Sequence, residues 1–172
     1  MIDGAMSLPT SRRAVAIRDF AGSELFERTF QEGMDLVEET AAYLDGSGRQ
    51  DSKLLSRNAA LAYATESMRL TTRLMQVASW LLVQRAVREG GMEAESACGE
   101  GYRLGTDAEA GHERPEEDLP PPLIILLDRS ERLFERVRHL DQRMYIDEMA
   151  ETEPAHGVQA QLERLRNAFG RA

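Results

Sequence analysis

One long stretch, residues 52–89, decides the fold, and its middle reads Tyr63-Ala-Thr-Glu-Ser-Met-Arg-Leu-Thr-Thr-Arg-Leu-Met-Gln-Val-Ala-Ser-Trp-Leu-Leu82. The stretch contains no proline and no glycine, and at about 1.5 Å per residue a helix of its length extends about 57 Å. Large apolar side chains recur at every seventh position, namely Leu54, Leu61, Met68, Met75 and Leu82. The neighbouring row consists mostly of small side chains, namely Asn58, Thr65, Thr72, Ser79 and Ala86. Leu70, Leu74, Val77 and Leu81 form a second apolar row. Apolar rows on more than one side predict the central helix of a bundle.

A first helix is predicted over residues 22–45. Ser23 is a suitable N-cap, with Glu24 and Glu27 in the first turns, where carboxylates favour the helix dipole. One apolar stripe contains Phe26, Phe30, Gly33, Met34, Val37, Ala41 and Leu44. Gly33 within that stripe indicates close backbone packing. Because Gly46 ends the helix and the link to the central helix is short, the two helices should lie antiparallel, with Glu24 near Arg73.

A third helix is predicted over residues 120–146. It begins at three consecutive prolines, which a first helical turn accepts, and it carries a helix-period apolar stripe to about Ile146. We therefore expect residues 20–146 to form an all-α, antiparallel three-helix bundle with a long central helix.

Three segments lie outside this predicted bundle. Residues 1–19 have no sustained period and are interpreted as a flexible lead-in. Residues 89–118 hold ten acidic residues and two arginines, so 90–118 are predicted to be a mobile acidic loop. Residues 147–172 are predicted to be a flexible tail with a short amphipathic helix at about 155–169, whose apolar stripe is Val158, Leu162, Leu165 and Phe169. A helix this short needs a surface to dock on, either its own bundle or a partner.

Composition excludes several classes of function. The net charge of −9 disfavours nucleic acid as a partner. The single cysteine, Cys98, excludes an internal disulfide framework and is compatible with a reducing cytoplasm. No apolar run is long enough to span a membrane, and residues 1–7 lack the pattern of a secretory signal. We therefore expect a cytoplasmic protein with no membrane association.

No pattern typical of an active site is present. Glu109 and His112 have the spacing of a di-iron motif, but the motif occurs once, in a glycine-rich segment, so chance explains it better. Cys98 lies among acidic residues, which disfavour a reactive thiolate. The sequence contains no phosphate-binding glycine loop, nucleophile elbow or zinc signature. We expect no catalytic residue, no cofactor and no metal.

The far end of the central helix is predicted to be an interaction surface. A first helix of about 24 residues, counted from the turn, covers only residues 52–75 of its longer partner. Val77, Trp80, Leu81 and Val83, with Arg73 beside them, then lack cover on one side. Exposed apolar patches of that size mark interfaces, and tryptophan is enriched among binding hot spots. We expect a homodimer or a protein partner here; the alternative is that Trp80 is buried against the third helix.

Two strings also resemble a known family. The segments Gly33-Met-Asp-Leu-Val-Glu-Glu-Thr-Ala-Ala-Tyr-Leu-Asp-Gly46 and 63–82 closely resemble alphaproteobacterial proteins first catalogued as of unknown function, a family that includes the regulator of CtrA degradation. The resemblance covers residues 20–89 closely and 119–141 less closely. It implies a three-helix bundle able to dimerise, which acts without catalysis as an adaptor delivering cell-cycle regulators to the ClpXP protease. Its implied partners are ClpXP, other adaptors and substrate proteins.

Two further interpretations remain beside the adaptor. One is a dimeric helical bundle that sequesters a partner helix in a groove. The other is a DNA-binding regulator that uses Arg69, Arg73 and Arg85, although the acidic first helix should cover part of that face.

Overall fold

The computed structural model describes residues 11–105 and 118–152, with side chains to Met144. These residues are helical and contain no β-strand. The helices are α1 (Arg12–Ala21), α2 (Glu24–Asp45), α3 (Ser47–Lys53), α4 (Arg57–Arg88), α5 (Ala94–Ala97) and α6 (Pro121–Thr152), with a 3-10 turn at Glu100–Tyr102. The predicted helical bundle with a long central helix is confirmed, with α2, α4 and α6 as its three long members. The predicted tail helix, with Val158, Leu162, Leu165 and Phe169, lies outside the described residues, as do residues 1–10 and 106–117.

The directions of the three long helices follow from the contacts between them. Glu32 and Glu39 of α2 pair with Arg136 and Arg129 of α6, so these two helices are antiparallel. Glu27 near the start of α2 pairs with Arg88 at the end of α4, so α2 is antiparallel to α4 as well. Consequently α4 and α6 run parallel, and residues 89–120 return the chain from one end of the bundle to the other.

The central helix is shorter than predicted, because residues 54–56 are not helical and separate α3 from α4. Ser56 caps α4 through its side chain, which accepts a hydrogen bond from the Ala59 backbone nitrogen at 3.2 Å. Helix α3 lies between the break and α2 and shifts the register of the α2–α4 pair. The predicted approach of Glu24 to Arg73 is therefore wrong: Arg88 pairs with Glu27 at 2.5 Å instead. Helix α2 therefore runs along α4 from Arg88 back to about Tyr63.

The predicted flexible lead-in is wrong for residues 12–19, which belong to α1. Ser11 caps this helix by accepting a hydrogen bond from the Ala14 backbone nitrogen at 3.1 Å. Ala14 and Ile17 are buried, and the Phe20 ring packs against Trp80 with 5.6 Å between ring centroids. Helix α1 thus supplies the cover that the far end of α4 was expected to lack.

The predicted mobile loop is wrong for residues 90–105, which have a defined course; we call residues 89–105 the strap. Gly90 adopts a positive φ of 76°, which glycine tolerates, and the chain turns there. Ala94 and Ala97 of α5 are buried, and the Cys98 thiol donates to the Ala94 carbonyl at 3.3 Å. The strap packs against the bundle with few large apolar residues, because the small alanine side chains allow α5 to approach closely.

Close packing at Gly33 is also observed. A Cβ atom at Gly33 would lie 2.7 Å from Cδ1 of Leu81, whose side chain is fully buried. Helices α2 and α4 therefore approach more closely here than an alanine would allow without movement of Leu81.

Candidate protein-interaction surface

The most prominent surface feature is a row of large apolar side chains along the outside of α4, which we call the apolar row. Leu61, Met68, Met75 and Leu82 are 71%, 72%, 65% and 52% exposed. The seven-residue spacing places them on one line along α4. Single exposed apolar residues are ordinary, but an aligned set of four indicates a surface that another molecule covers.

Small side chains flank the apolar row on both sides. They are Ala64, Thr71 and Ala78 on one side and Thr65, Thr72 and Ser79 on the other. Such neighbours leave space beside each large side chain. A second helix can therefore approach closely and place its own side chains between those of the row, as in the knobs-into-holes packing of coiled coils.

Most of the residues predicted to form the interface are instead inside the chain. Val77, Trp80 and Leu81 are buried, and Val83 is partly buried against the core. The expectation that they lack intramolecular cover is wrong, because α1, α2 and α6 surround them. The alternative, a buried Trp80, is what the structure contains. The exposed large apolar side chains of α4 are instead those of the apolar row, which the sequence flanks with small residues.

Trp80 lies at the centre of a polar contact that joins three elements. Its indole nitrogen donates to Oδ1 of the buried Asp141 on α6 at 3.0 Å. The Leu104 backbone nitrogen in the strap donates to the same oxygen at 3.3 Å, and Arg103 pairs with Oδ2 at 3.5 Å. Asp141 therefore fixes the end of the strap against α4 and α6.

The arginines considered for DNA binding make contacts within the protein. Arg73 is buried and donates to the Ser130 hydroxyl at 3.1 Å, with Glu131 at 3.6 Å. Arg69 pairs with Glu66 at 2.8 Å. Arg85 pairs with Glu89 at 2.7 Å and lies over the Phe30 ring. These three guanidinium groups are committed to the bundle and do not form a free basic face for phosphates. Arg73, one of the residues predicted for the interface, links α4 to α6 instead.

A groove runs beside the apolar row, between α4 and the end of the strap. Its volume is about 620 Å³. Its α4 side is lined by Thr72, Met75, Gln76, Ser79, Trp80 and Val83, and its other side by residues 101–105, including Tyr102 and Arg103. Met75 belongs to both the groove and the apolar row, so the two features form one continuous surface. We call this feature the strap groove.

A tyrosine cluster lies at the turn between α2 and α3. Burial raises the pKa of Tyr43, and its hydrogen bond to Asp51 Oδ2, at 3.1 Å, raises that pKa further, with the neighbouring Tyr63 and the Asp51 charge adding to the shift. A Cβ atom at Gly48 would lie 2.6 Å from the Tyr63 hydroxyl. The turn therefore requires glycine, because a side chain there would overlap the tyrosines packed against it.

Other kinds of site were also considered. Within residues 11–105 and 118–152, no group of three or more histidine, cysteine, aspartate or glutamate side chains could hold a metal ion. Over the same part of the chain, no helix has the length and apolar character needed to cross a membrane.

Comparison with known proteins agrees with the helical architecture. A family model described as a protein of unknown function (DUF1465) matches residues 17–169. No curated protein matches the chain. Among solved structures, the crystal structure of RcdA from Caulobacter crescentus CB15 is 70% identical in sequence, with a TM-score of 0.64, over 75% of this chain and 98% of that chain. The chain therefore belongs to the DUF1465 family of RcdA-like proteins.

Proposed function

We propose that the protein is a non-enzymatic adaptor that helps deliver cell-cycle regulatory proteins to the ClpXP protease in the cytoplasm. The observation that carries the proposal is that the rigid helix α4 bears two exposed apolar features, the apolar row and the strap groove, which provide one surface for a second copy and one for a protein partner. The 70% identity to RcdA supports the assignment to regulated proteolysis. An adaptor needs only surfaces that hold two partners close together, because a modest affinity for each raises their effective concentration.

We further propose that the apolar row allows the protein to form a homodimer. Two antiparallel copies of α4, related by a two-fold axis near Thr72, would place Leu61 against the partner's Leu82 and Met68 against the partner's Met75. Thr71 and Thr72 at the axis are small enough for the helices to approach closely. The row is therefore self-complementary and leaves no charged side chain at its centre. In this arrangement Trp80 lies in the core directly under the interface, and Val83 lies at the edge of the interface.

The dimer is tested by Met68→Arg, measured by light scattering across a range of concentrations. Met68 is 72% exposed, so the variant should fold normally, with unchanged circular dichroism, but remain a monomer. The matched control is Ile125→Arg, which replaces an exposed apolar side chain on α6, outside the row. A dimer that survives Met68→Arg, or is equally lost in Ile125→Arg, would exclude the row as the interface.

The adaptor function is tested by a reconstituted degradation assay with ClpXP, a cell-cycle regulator as cargo, and the other adaptors of the pathway. Adding the protein should increase cargo turnover without changing the ATPase-driven degradation of an unrelated substrate. Deleting residues 152–172 tests the tail separately, because unchanged turnover would show that the tail has no role in delivery.

The second candidate is a dimeric bundle that sequesters a partner helix, and the strap groove favours it because the groove is long and largely apolar. Affinity purification distinguishes the two functions. Recovery of one stoichiometric helical partner, without any protease component and with no effect on cargo turnover, would support sequestration over delivery.

A further inference from the structure

The strap groove has the dimensions of a site for one short helix. Along α4 it extends from Thr72 to Val83, eleven residues and therefore about 16 Å. Met75 and Val83 line it with the half-exposed Tyr102 opposite, and Trp80 forms part of its base. A groove between two elements that is lined by aliphatic and aromatic side chains suits the apolar stripe of an amphipathic helix.

The position at which α6 ends brings the remaining chain close to this groove. Because α4 and α6 are parallel and Trp80 contacts Asp141, the end of α6 at Thr152, eleven residues further on, lies near the end of α4. Twenty residues follow Thr152. Pro154 and Gly157 are turn-forming residues, and a chain that reverses there runs back along α4 over the groove.

The sequence of that remaining segment matches the groove in length and pattern. Val158, Leu162, Leu165 and Phe169 are spaced by four, three and four residues. At about 100° per residue, they fall within about 60° of one helix face, and the eleven-residue span from the first to the last is about 16 Å. The predicted stripe is therefore as long as the groove.

The strap and the remaining segment differ in the sign of their overall charge, but among the described residues the only charged one that lines the groove is Arg103. The strap has four carboxylates, Glu89, Glu93, Glu95 and Glu100, against one arginine, Arg103. Residues 158–172 have three arginines, Arg164, Arg166 and Arg171, against one glutamate, Glu163. The length and the apolar pattern of the segment, rather than ion pairs, therefore carry the match to the groove.

We propose that residues 158–169 dock as a helix in the strap groove of their own chain, antiparallel to α4. The apolar stripe covers Val83 and Tyr102. The bundle thereby carries an internal ligand that occupies the groove until another helix displaces it.

Energy transfer from Trp80, the single tryptophan, tests this docking. A small acceptor dye that absorbs tryptophan emission is attached at Ala172→Cys in a Cys98→Ser background, in full-length Met68→Arg protein so that dimerisation through the apolar row does not contribute. Docked, the acceptor lies about 20 Å from Trp80, whereas a freely moving tail places it about 30 Å away on average. We expect transfer at least about twofold above that of a Leu162→Ser, Phe169→Ser variant, since the added serines cannot fill the groove.

Two controls identify the occupant. Asn167→Ser changes the opposite helix face and should leave transfer high, whereas Ser79→Arg fills the groove from an exposed α4 position and should reduce transfer. A tenfold excess of unlabelled chain should have no effect, because docking is intramolecular. Transfer that is insensitive to both the stripe variant and Ser79→Arg would overturn the proposal, as would transfer that falls with unlabelled chain, which would assign the groove to the tail of a second copy. These outcomes are independent of the degradation assay.

Discussion

Replacement of Asp141 tests how the strap, α4 and α6 are held together. Two donors converge on Oδ1, the buried Trp80 indole and the partly buried Leu104 backbone nitrogen, while Arg103 contacts Oδ2. Asp141→Ala removes every acceptor, which costs about 1–3 kcal/mol for the buried indole and about 1 kcal/mol for the partly buried Leu104 nitrogen. The ion pair with the partly exposed Arg103 adds about 1 kcal/mol or less. We expect Asp141→Ala to lower the free energy of unfolding by about 4 kcal/mol.

Asp141→Asn is the informative comparison. The amide keeps an oxygen at the position of Oδ1, so the Trp80 and Leu104 donors retain an acceptor and only the charge and the Arg103 contact are lost. We expect Asp141→Asn to lower the free energy of unfolding by about 1 kcal/mol.

Urea unfolding measures both losses, followed by Trp80 fluorescence and by circular dichroism at one fixed protein concentration, because association shifts apparent stability. Equal losses for the two variants, or a loss below about 1 kcal/mol for Asp141→Ala, would refute the assignment of Oδ1 as the shared acceptor.

Three further substitutions test other parts of the fold. The pKa of Tyr43 is higher in the folded protein than in the unfolded chain, so protonated Tyr43 stabilises the fold fully below the ordinary tyrosine pKa of about 10, and this stabilisation is lost as pH rises above that value. Tyr43→Phe should therefore reduce the fall in urea-unfolding free energy at alkaline pH. An unchanged fall would contradict the raised pKa. If α1 belongs to the core, Ile17→Ala should lower the free energy of unfolding, measured by thermal unfolding, by about 2–4 kcal/mol. The control Val15→Ala, at an exposed position of the same helix, should lower it by less than about 0.5 kcal/mol. Gly33→Ala should lose about 1 kcal/mol, since crowding of Leu81 outweighs the gain in helix propensity; a gain would show that Leu81 moves freely.

Local signals predicted the main helices well. Ser23 caps α2 as expected, and Gly46 follows its last residue, because capping depends on a few adjacent side chains. The prolines mark the start of α6 for the same reason. Periodicity identified α4 because no proline or glycine interrupts it, although the short break at residues 54–56 carried no comparable signal.

Which face of α4 points inward could not be predicted. Met68 and Met75 are as apolar as Leu74 and Val77, yet the first two are exposed and the latter two are buried. Which face of α4 is buried depends on where the neighbouring helices pack. Their positions depend in turn on the length of α3 and on the path of the strap between α4 and α6. Helix α1 was missed because it is only ten residues long and its apolar run, residues 14–17, shows no helical period; Arg13 beside that run is itself buried. Its stability comes from tertiary packing rather than from propensity.

The contact of α1 with both α4 and α6 also has a consequence for biosynthesis. Helix α1 leaves the ribosome before the other helices, whereas synthesis of α6 begins 100 residues after α1 ends, which is on the order of ten seconds at typical elongation rates. The α2–α4 pair can form early because its contacts are closer in sequence. Ile17, Phe20 and the Trp80 side chain, however, gain their full cover only when α6 arrives. Chains arrested before Asp141 should therefore bind a chaperone that recognises exposed apolar segments, and completion of α6 should release them.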